Sequence, residues 1–139
     1  MRRSDAIGAG VKCRAVAALV TCVVLAGCGP SKEERVLAAL LDDRTPGPPV
    51  ACLDLTKVDA VHVVAHRIVY ESKVGDIFYV NRPIVGADSL RLGATLLSGY
   101  GHGRVCHDEA VQVLAAGETR PRFNKAVFAF FTPYRRRTD

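Results

Sequence analysis

The densest group of reactive side chains lies between positions 102 and 108, where His102, Cys106, His107 and Asp108 follow closely on one another. A thiol beside an imidazole and a carboxylate could act as a nucleophile, because the base withdraws the thiol proton. Neighbouring residues of a strand point to opposite faces, however, which would separate Cys106 from His107. The spacing of these residues also does not match a zinc site. We therefore expect no catalytic residue, no metal ligand and no cofactor.

Two further histidines, His62 and His66, have the i, i+4 spacing with which imidazoles on one helix can bind a metal ion. The residues between and around them are mostly β-branched, which favours a strand. Four residues of a strand span about 13 Å, too far for one ion to bridge. We predict partly buried or edge histidines rather than a metal site.

The glycine-rich segment 99–103 lacks the Lys-Ser/Thr ending of a phosphate-binding loop. It carries an aromatic residue, Tyr100, and an imidazole, His102, between a predicted helix and a predicted strand. Binding residues often lie on loops that a rigid scaffold holds in place. Tyr100 and His102 are therefore the candidates for a binding loop.

The N-terminal segment indicates where the protein works. Four of its first fourteen residues are basic, and an apolar run follows over residues 15–26. This pattern is typical of a secretory signal peptide. The run is too short for a membrane-spanning helix, which needs roughly 20 apolar residues.

The apolar run ends in Leu25-Ala26-Gly27-Cys28, which resembles the lipobox of bacterial lipoproteins. The resemblance covers the leader only. It implies removal of residues 1–27, a diacylglyceryl group on the Cys28 thiol and acylation of the new amino group. Gly29, rather than Asp, follows the cysteine, which in Gram-negative lipoproteins permits sorting to the outer membrane. The alternatives are a signal peptide cut elsewhere and an N-terminal anchor that is never cut.

Loss of the leader changes both the charge balance and the cysteine count. Of the 19 basic and 14 acidic residues, 15 and 13 remain, so the net charge gives no reason to expect a nucleic-acid partner. Cys52 and Cys106 are the cysteines left once Cys28 carries lipid. In an oxidising compartment we predict that they form a disulfide, the alternative being two free thiols.

The helices are predicted from caps and apolar spacing. Ser31 and Glu34 have the spacing of a capping box at the start of a helix over 32–43. An apolar row within 88–98 predicts a second, short helix. The predicted extended segments are 50–55, 60–71, 77–81, 105–115 and 123–131.

These elements predict an α+β fold, with both helices packed on a small antiparallel sheet of two hairpins and one disulfide. We expect a tether at 28–31, a single domain at 32–134 and a basic tail at 135–139, after a break at Pro133. The terminal arginines are expected to be solvated, although they could contact phospholipid head groups.

The predicted function is that of a lipid-anchored, non-enzymatic binding module in the cell envelope. It would lie on the periplasmic side of the outer membrane, if the source is Gram-negative, and bind an envelope protein. The alternative is a small envelope enzyme or metal-handling protein that uses the 102–108 segment. The small-molecule ligand, if there is one, is not indicated by the sequence.

Overall fold

A five-stranded antiparallel sheet is the centre of the computed structural model, which describes residues 27, 29–97, 103–119 and 124–138. The described part contains one α-helix, α1, over Lys32–Leu40. Its strands are β1 Arg44–Pro46, β2 Cys52–Asp54, β3 Val58–Val64, β4 Arg67–Ser72, β5 Ile77–Asn81, β6 Thr95–Leu97, β7 Arg104–Cys106, β8 Ala110–Leu114, β9 Lys125–Val127 and β10 Thr132–Arg136. Short 3-10 turns lie at Leu55–Lys57 and Ala87–Ser89.

The predicted α+β class is wrong, because the described chain is mostly β, with 45% of residues in strands. The large sheet has the order β1-β10-β5-β4-β3, and two smaller sheets have the orders β2-β7 and β6-β8-β9. Helix α1 covers one face of the large sheet, and the smaller sheets cover the other. Both faces of the central strands are therefore buried.

Strand β4 shows how one sequence supplies two cores. Ile68 and Tyr70 point into the core shared with the small sheets, whereas Val69, between them, points into the core under α1. Successive side chains of a strand alternate between faces, so a run of consecutive apolar residues is needed where both faces are covered. All three side chains are 0 or 1% exposed.

The predicted helix over 88–98 is wrong. Its apolar residues instead serve a 3-10 turn that ends near Leu90 and the short strand β6. Gly93 lies between these elements with φ of +89°, a left-handed conformation that no α-helix accommodates and that glycine adopts at little cost. The helical spacing of the apolar residues was thus coincidental. The first helix is confirmed, including both hydrogen bonds of its capping box, but ends at Leu40.

The last strands also differ from the prediction, because Pro133 lies within β10 instead of ending the chain's regular structure. The predicted strand over 123–131 yields the short strand β9 and an irregular segment. The buried Asn81 side chain holds that segment, donating to the Ala129 carbonyl at 2.7 Å and accepting from its N–H at 3.2 Å. Arg135 and Arg136, expected in a tail, belong to β10 and are exposed.

An ion cluster joins β1 and β10, adjacent strands at one edge of the large sheet, to the β4–β5 turn. Asp76 accepts from Arg44 Nη2 at 2.6 Å and from Arg136 Nε at 2.9 Å, and its carbonyl accepts from Arg44 Nη1. Arg44 also lies 4.0 Å from the centre of the Phe78 ring. Hydrogen bonds from Arg44, and then from Arg136, hold the pKa of Asp76 below its ordinary value. The ionised carboxylate therefore stabilises the fold.

We expect Asp76→Asn to lower the free energy of unfolding at pH 7, with the difference from the unchanged protein shrinking in acid. Asn tolerates the left-handed backbone at this position, where φ is +48°, so the substitution removes mainly the charge. Because the folded pKa is depressed, the stabilisation is fully present above the unfolded pKa of about 3.9 and is lost as the pH falls through the folded pKa.

Urea unfolding of both proteins at a series of pH values between neutrality and about pH 2 measures this difference. The exposed Asp59→Asn substitution is the control, since Asp59 forms no ion pair with another described residue. If Asp76→Asn destabilised the protein equally at every pH down to about pH 2, the stabilisation could not come from the ionised Asp76 carboxylate.

Candidate functional site

The predicted disulfide between Cys52 and Cys106 is confirmed. The two cysteines are direct partners in the β2–β7 ladder, and their neighbours Leu53 and Val105 are buried beneath them in the main core. The bridge closes a loop of 54 residues, for which the chain-entropy estimate gives about 4 kcal/mol of stabilisation. It also removes the Cys106 thiol, so no thiolate nucleophile exists there.

His107 and Asp108 form the turn that follows β7, and their side chains touch. His107 Nδ1 lies 2.7 Å from Asp108 Oδ2, and the imidazole stacks on Phe130 with ring centres 4.3 Å apart. Phe130 is 52% exposed and Asp108 is also largely exposed. With Cys106 bridged, the pair has no cysteine to activate, and the stack presents a flat aromatic surface instead.

The histidines at positions 62 and 66 have separate partners. His62 lies in β3, with Nε2 3.3 Å from the Glu71 carboxylate on β4. His66 lies in the turn after β3, with its ring nitrogens near the Ala87 carbonyl and Arg91. Across the residues that the structure describes, no group of three or more His, Cys, Asp or Glu side chains could hold a metal ion.

The lipidation site Cys28 and the proposed binding-loop residues Tyr100 and His102 lie outside the described residues. The residues that flank the loop are described. Leu97 ends β6, and the Gly103 carbonyl accepts from the Leu55 N–H at 2.8 Å. Both flanks thus lie beside an apolar groove between β3 and β6.

An apolar groove of about 390 Å³ opens between β3 and β6, and the sequence did not reveal it. The buried Tyr70 lies at its base, and Thr95 is its polar member. The apolar walls come from the turn before β3, from β3 itself and from the segment around β6; they are Leu55, Val58, Val61, Val63, Ala94 and Leu96. At this groove, the core between the large sheet and the β6-β8-β9 sheet is open to solvent.

A β-bulge explains why the sequence pattern concealed this groove. Val61 and Val63 share a face of β3 by simple alternation, which would put Val58 on the opposite face. The register of the β3–β4 ladder shifts between Val58 and Ala60, and the extra residue returns Val58 to the groove side. Nothing in the order of residue types marks such a bulge.

The two strands that border the groove are both edge strands. Among the described strands, β3 pairs only with β4, and β6 pairs only with β8. Within the described part of the chain, the outer side of β3 has no backbone hydrogen-bond partner. A row of backbone donors and acceptors beside an apolar channel is suited to an extended polypeptide.

The turn between β3 and β4 adopts an uncommon conformation. Ala65 and His66 both have positive φ, at 49° and 61°, which costs roughly 1–2 kcal/mol per residue without glycine. The Glu33 carboxylate compensates by accepting from the Ala65 N–H at 3.0 Å and from the Leu92 N–H at 3.2 Å. The His66 N–H donates to the Leu90 carbonyl at 2.9 Å. Contacts from two distant segments therefore hold the turn.

Comparison with protein-family models, with curated proteins and with solved structures finds no match for this chain. Among the described residues, no helix is both long and apolar enough to cross a membrane. The surfaces described above are therefore the basis for assigning a function.

We expect Glu33→Ala to lower the free energy of unfolding by about 2 kcal/mol, because two backbone N–H groups lose a charged acceptor. The amides of Ala65 and Leu92 should exchange their hydrogens faster than in the unchanged protein. Glu33→Gln should have a smaller effect, since its single amide oxygen can still accept.

Urea unfolding and amide hydrogen exchange measure the two effects. Lys32→Ala, on an exposed residue of the same helical turn, is the control. Unchanged exchange at Ala65 and Leu92 in the Glu33→Ala protein would show that the carboxylate does not hold the turn.

Proposed function

We propose that the chain is a lipid-anchored envelope protein, without enzymatic activity, that binds an extended segment of a partner polypeptide in the groove between β3 and β6. The observation that carries this proposal is the apolar groove bordered by two edge strands. A partner strand could pair with the outer side of β3 and place alternate side chains against the apolar walls. The anchor is the lipid on Cys28 that the leader sequence implies.

The chemistry of the groove favours a polypeptide over other occupants. The open edge of β3 offers backbone donors and acceptors, which a lipid chain has no groups to satisfy. The walls are apolar apart from Thr95, so a strongly charged small molecule would lose hydration there without forming ion pairs. An extended peptide satisfies both features, because its backbone pairs while its apolar side chains enter the groove.

The structure also bears on the rival assignment of an enzyme that uses the 102–108 segment. Cys106 is bridged to Cys52, so that assignment loses its nucleophile. The remaining described pair, His107 and Asp108, forms part of an exposed aromatic stack. These contacts support a binding role more than a reaction.

We expect Val61→Glu to abolish peptide binding while leaving the protein folded. Val61 lines the groove but is already 46% exposed, so a carboxylate there reaches water and still charges the apolar wall. Val74→Glu is the matched control, because Val74 is 65% exposed and lies in the β4–β5 turn, outside the groove. Thermal unfolding shows whether either variant is destabilised.

The probe is a set of apolar peptides selected by display on the whole protein extracted from membranes. A bound peptide should slow hydrogen exchange at β3 amides in the unchanged protein and in the Val74→Glu variant, and should fail to do so in Val61→Glu. Three results would contradict the proposal. They are tighter binding of acyl chains than of the selected peptides, self-association of the protein through β3, and peptide binding that Val61→Glu leaves unchanged.

Cys28→Ser should release the protein from the membrane fraction, because the serine hydroxyl does not take the diacylglyceryl group. Two or three acyl chains hold a protein firmly to a membrane, so their loss should make the release nearly complete after a high-salt wash, which also screens attraction between surface charges and head groups. Mass spectrometry of the N-terminal peptide checks the modification directly. An unchanged protein whose N-terminal peptide begins elsewhere, or whose Cys28 carries no lipid, would remove the proposed anchor.

A further inference from the structure

Three arginines border a shallow cavity beside the first turn of α1, and we call them the arginine surface: Arg67, Arg82 and Arg91. Arg82 and Arg91 are exposed, and Arg67 is half-buried. Within residues 29–97, 103–119 and 124–138, none of the three forms an ion pair with a carboxylate. Their positive charges are therefore available to an external anion.

The strained turn after β3 positions two of these arginines. Arg67 Nη1 donates to the Ala65 carbonyl at 2.9 Å, and Arg91 Nη1 lies 3.0 Å from His66 Nε2. The other ring nitrogen, Nδ1, lies 3.1 Å from the Ala87 carbonyl, which can only accept a hydrogen bond. Nδ1 therefore carries the proton, and Nε2 accepts from Arg91. A neutral His66 thus holds the Arg91 guanidinium in place.

Glu33 and Glu34 line the same cavity as the arginines, but the hydrogen bonds that their carboxylates accept come from backbone amides. Both oxygens of Glu33 accept from amides, and Glu34 accepts from the Ser31 N–H at 2.8 Å. Asp88 is a third acid in this region, in the 3-10 turn that also contacts His66. Lys32 and Arg35, exposed on the first turns of α1, add to the arginine surface, so basic residues outnumber acidic ones five to three.

The length of the tether determines what lies opposite this surface. Ser31, the N-cap of α1, is three residues after Cys28, which allows a separation of at most about 11 Å. This step rests on the proposed function, since it requires lipid on Cys28. With the acyl chains in the bilayer, the first turn of α1 and the arginines beside it must lie at the level of the lipid head groups or just above it.

We propose that the arginine surface binds the phosphates of anionic phospholipids in the membrane that holds the anchor, and so fixes the orientation of the domain. Guanidinium groups form paired hydrogen bonds with phosphate oxygens, which suits them to this contact. Leu92, which follows Arg91 and is 44% exposed, can insert its side chain among the head groups. The groove then runs along β3, away from the turn that carries the arginine surface.

The test uses the lipidated protein, reconstituted into vesicles of phosphatidylcholine with or without phosphatidylglycerol. Hydrogen exchange of peptides that cover residues 65–67 and 89–92 should be slower in the anionic vesicles, and high salt should remove the difference. Arg82→Gln with Arg91→Gln should also remove it. Arg135→Gln with Arg137→Gln is the matched control, because these exposed arginines lie at the β1–β10 end of the sheet, beyond the C-terminus of α1.

A second measurement does not depend on the anchor. Whole-chain Cys28→Ser protein should sediment with anionic vesicles, and the Arg82→Gln/Arg91→Gln change should weaken this binding roughly 25-fold, or about fivefold for each arginine. Equal exchange in both vesicle types would overturn the proposal. Equal protection by inorganic phosphate in solution, or an equal loss in the control variant, would overturn it as well. An unmodified Cys28 in the mass spectrum would instead defeat the proposed anchor, and the sedimentation result would still decide the lipid contact.

Discussion

The carboxylate of Glu33 holds together parts of the molecule that are far apart in the chain. It accepts from the Ala65 N–H in the turn after β3 and from the Leu92 N–H before β6. Without these bonds, two successive non-glycine residues would have little to compensate their positive φ angles. The turn divides one long apolar run into β3 and β4, so the five-stranded sheet, the edge strand beside the groove and the position of α1 all depend on it.

The two faces of the large sheet are stabilised by different means. Under α1, a small core around Leu37 and Val69 is completed by the capping box and by Glu33. On the other face, several very short strands pack against the sheet, and short strands alone bury little surface. The disulfide fixes two of them, β2 and β7, at their point of contact, and Asn81 fixes the irregular segment before β10. The disulfide and the Asn81 hydrogen bonds thus supply stability that the short strands do not gain from buried surface.

The proposed contacts with lipid and with a partner share one element. Strand β3 contributes Val58, Val61 and Val63 to the groove wall and runs into the turn that positions Arg67 and Arg91. If the arginine surface faces the lipid head groups, β3 leads from the membrane towards the groove. Its groove residues lie two to seven positions before Ala65, at about 3.3 Å each, which sets the range of that separation. A rigid strand can therefore hold a partner segment at a fixed height above the bilayer.

The sequence by itself determined the features that depend on local chemistry or on the number of cysteines left to pair. The capping box of Ser31 and Glu34 and the pairing of Cys52 with Cys106 were predicted and confirmed, whereas the single strand predicted over 60–71 is two strands, β3 and β4, separated by a turn. Only the tertiary structure decided where that strand turns, because Ala65 and His66 carry no turn signal and are held there by a glutamate 32 residues away. It also decided that residues 88–98 form no helix, and that a bulge turns Val58 towards the groove. These outcomes depend on contacts between distant segments, which the spacing of apolar residues along the chain does not contain.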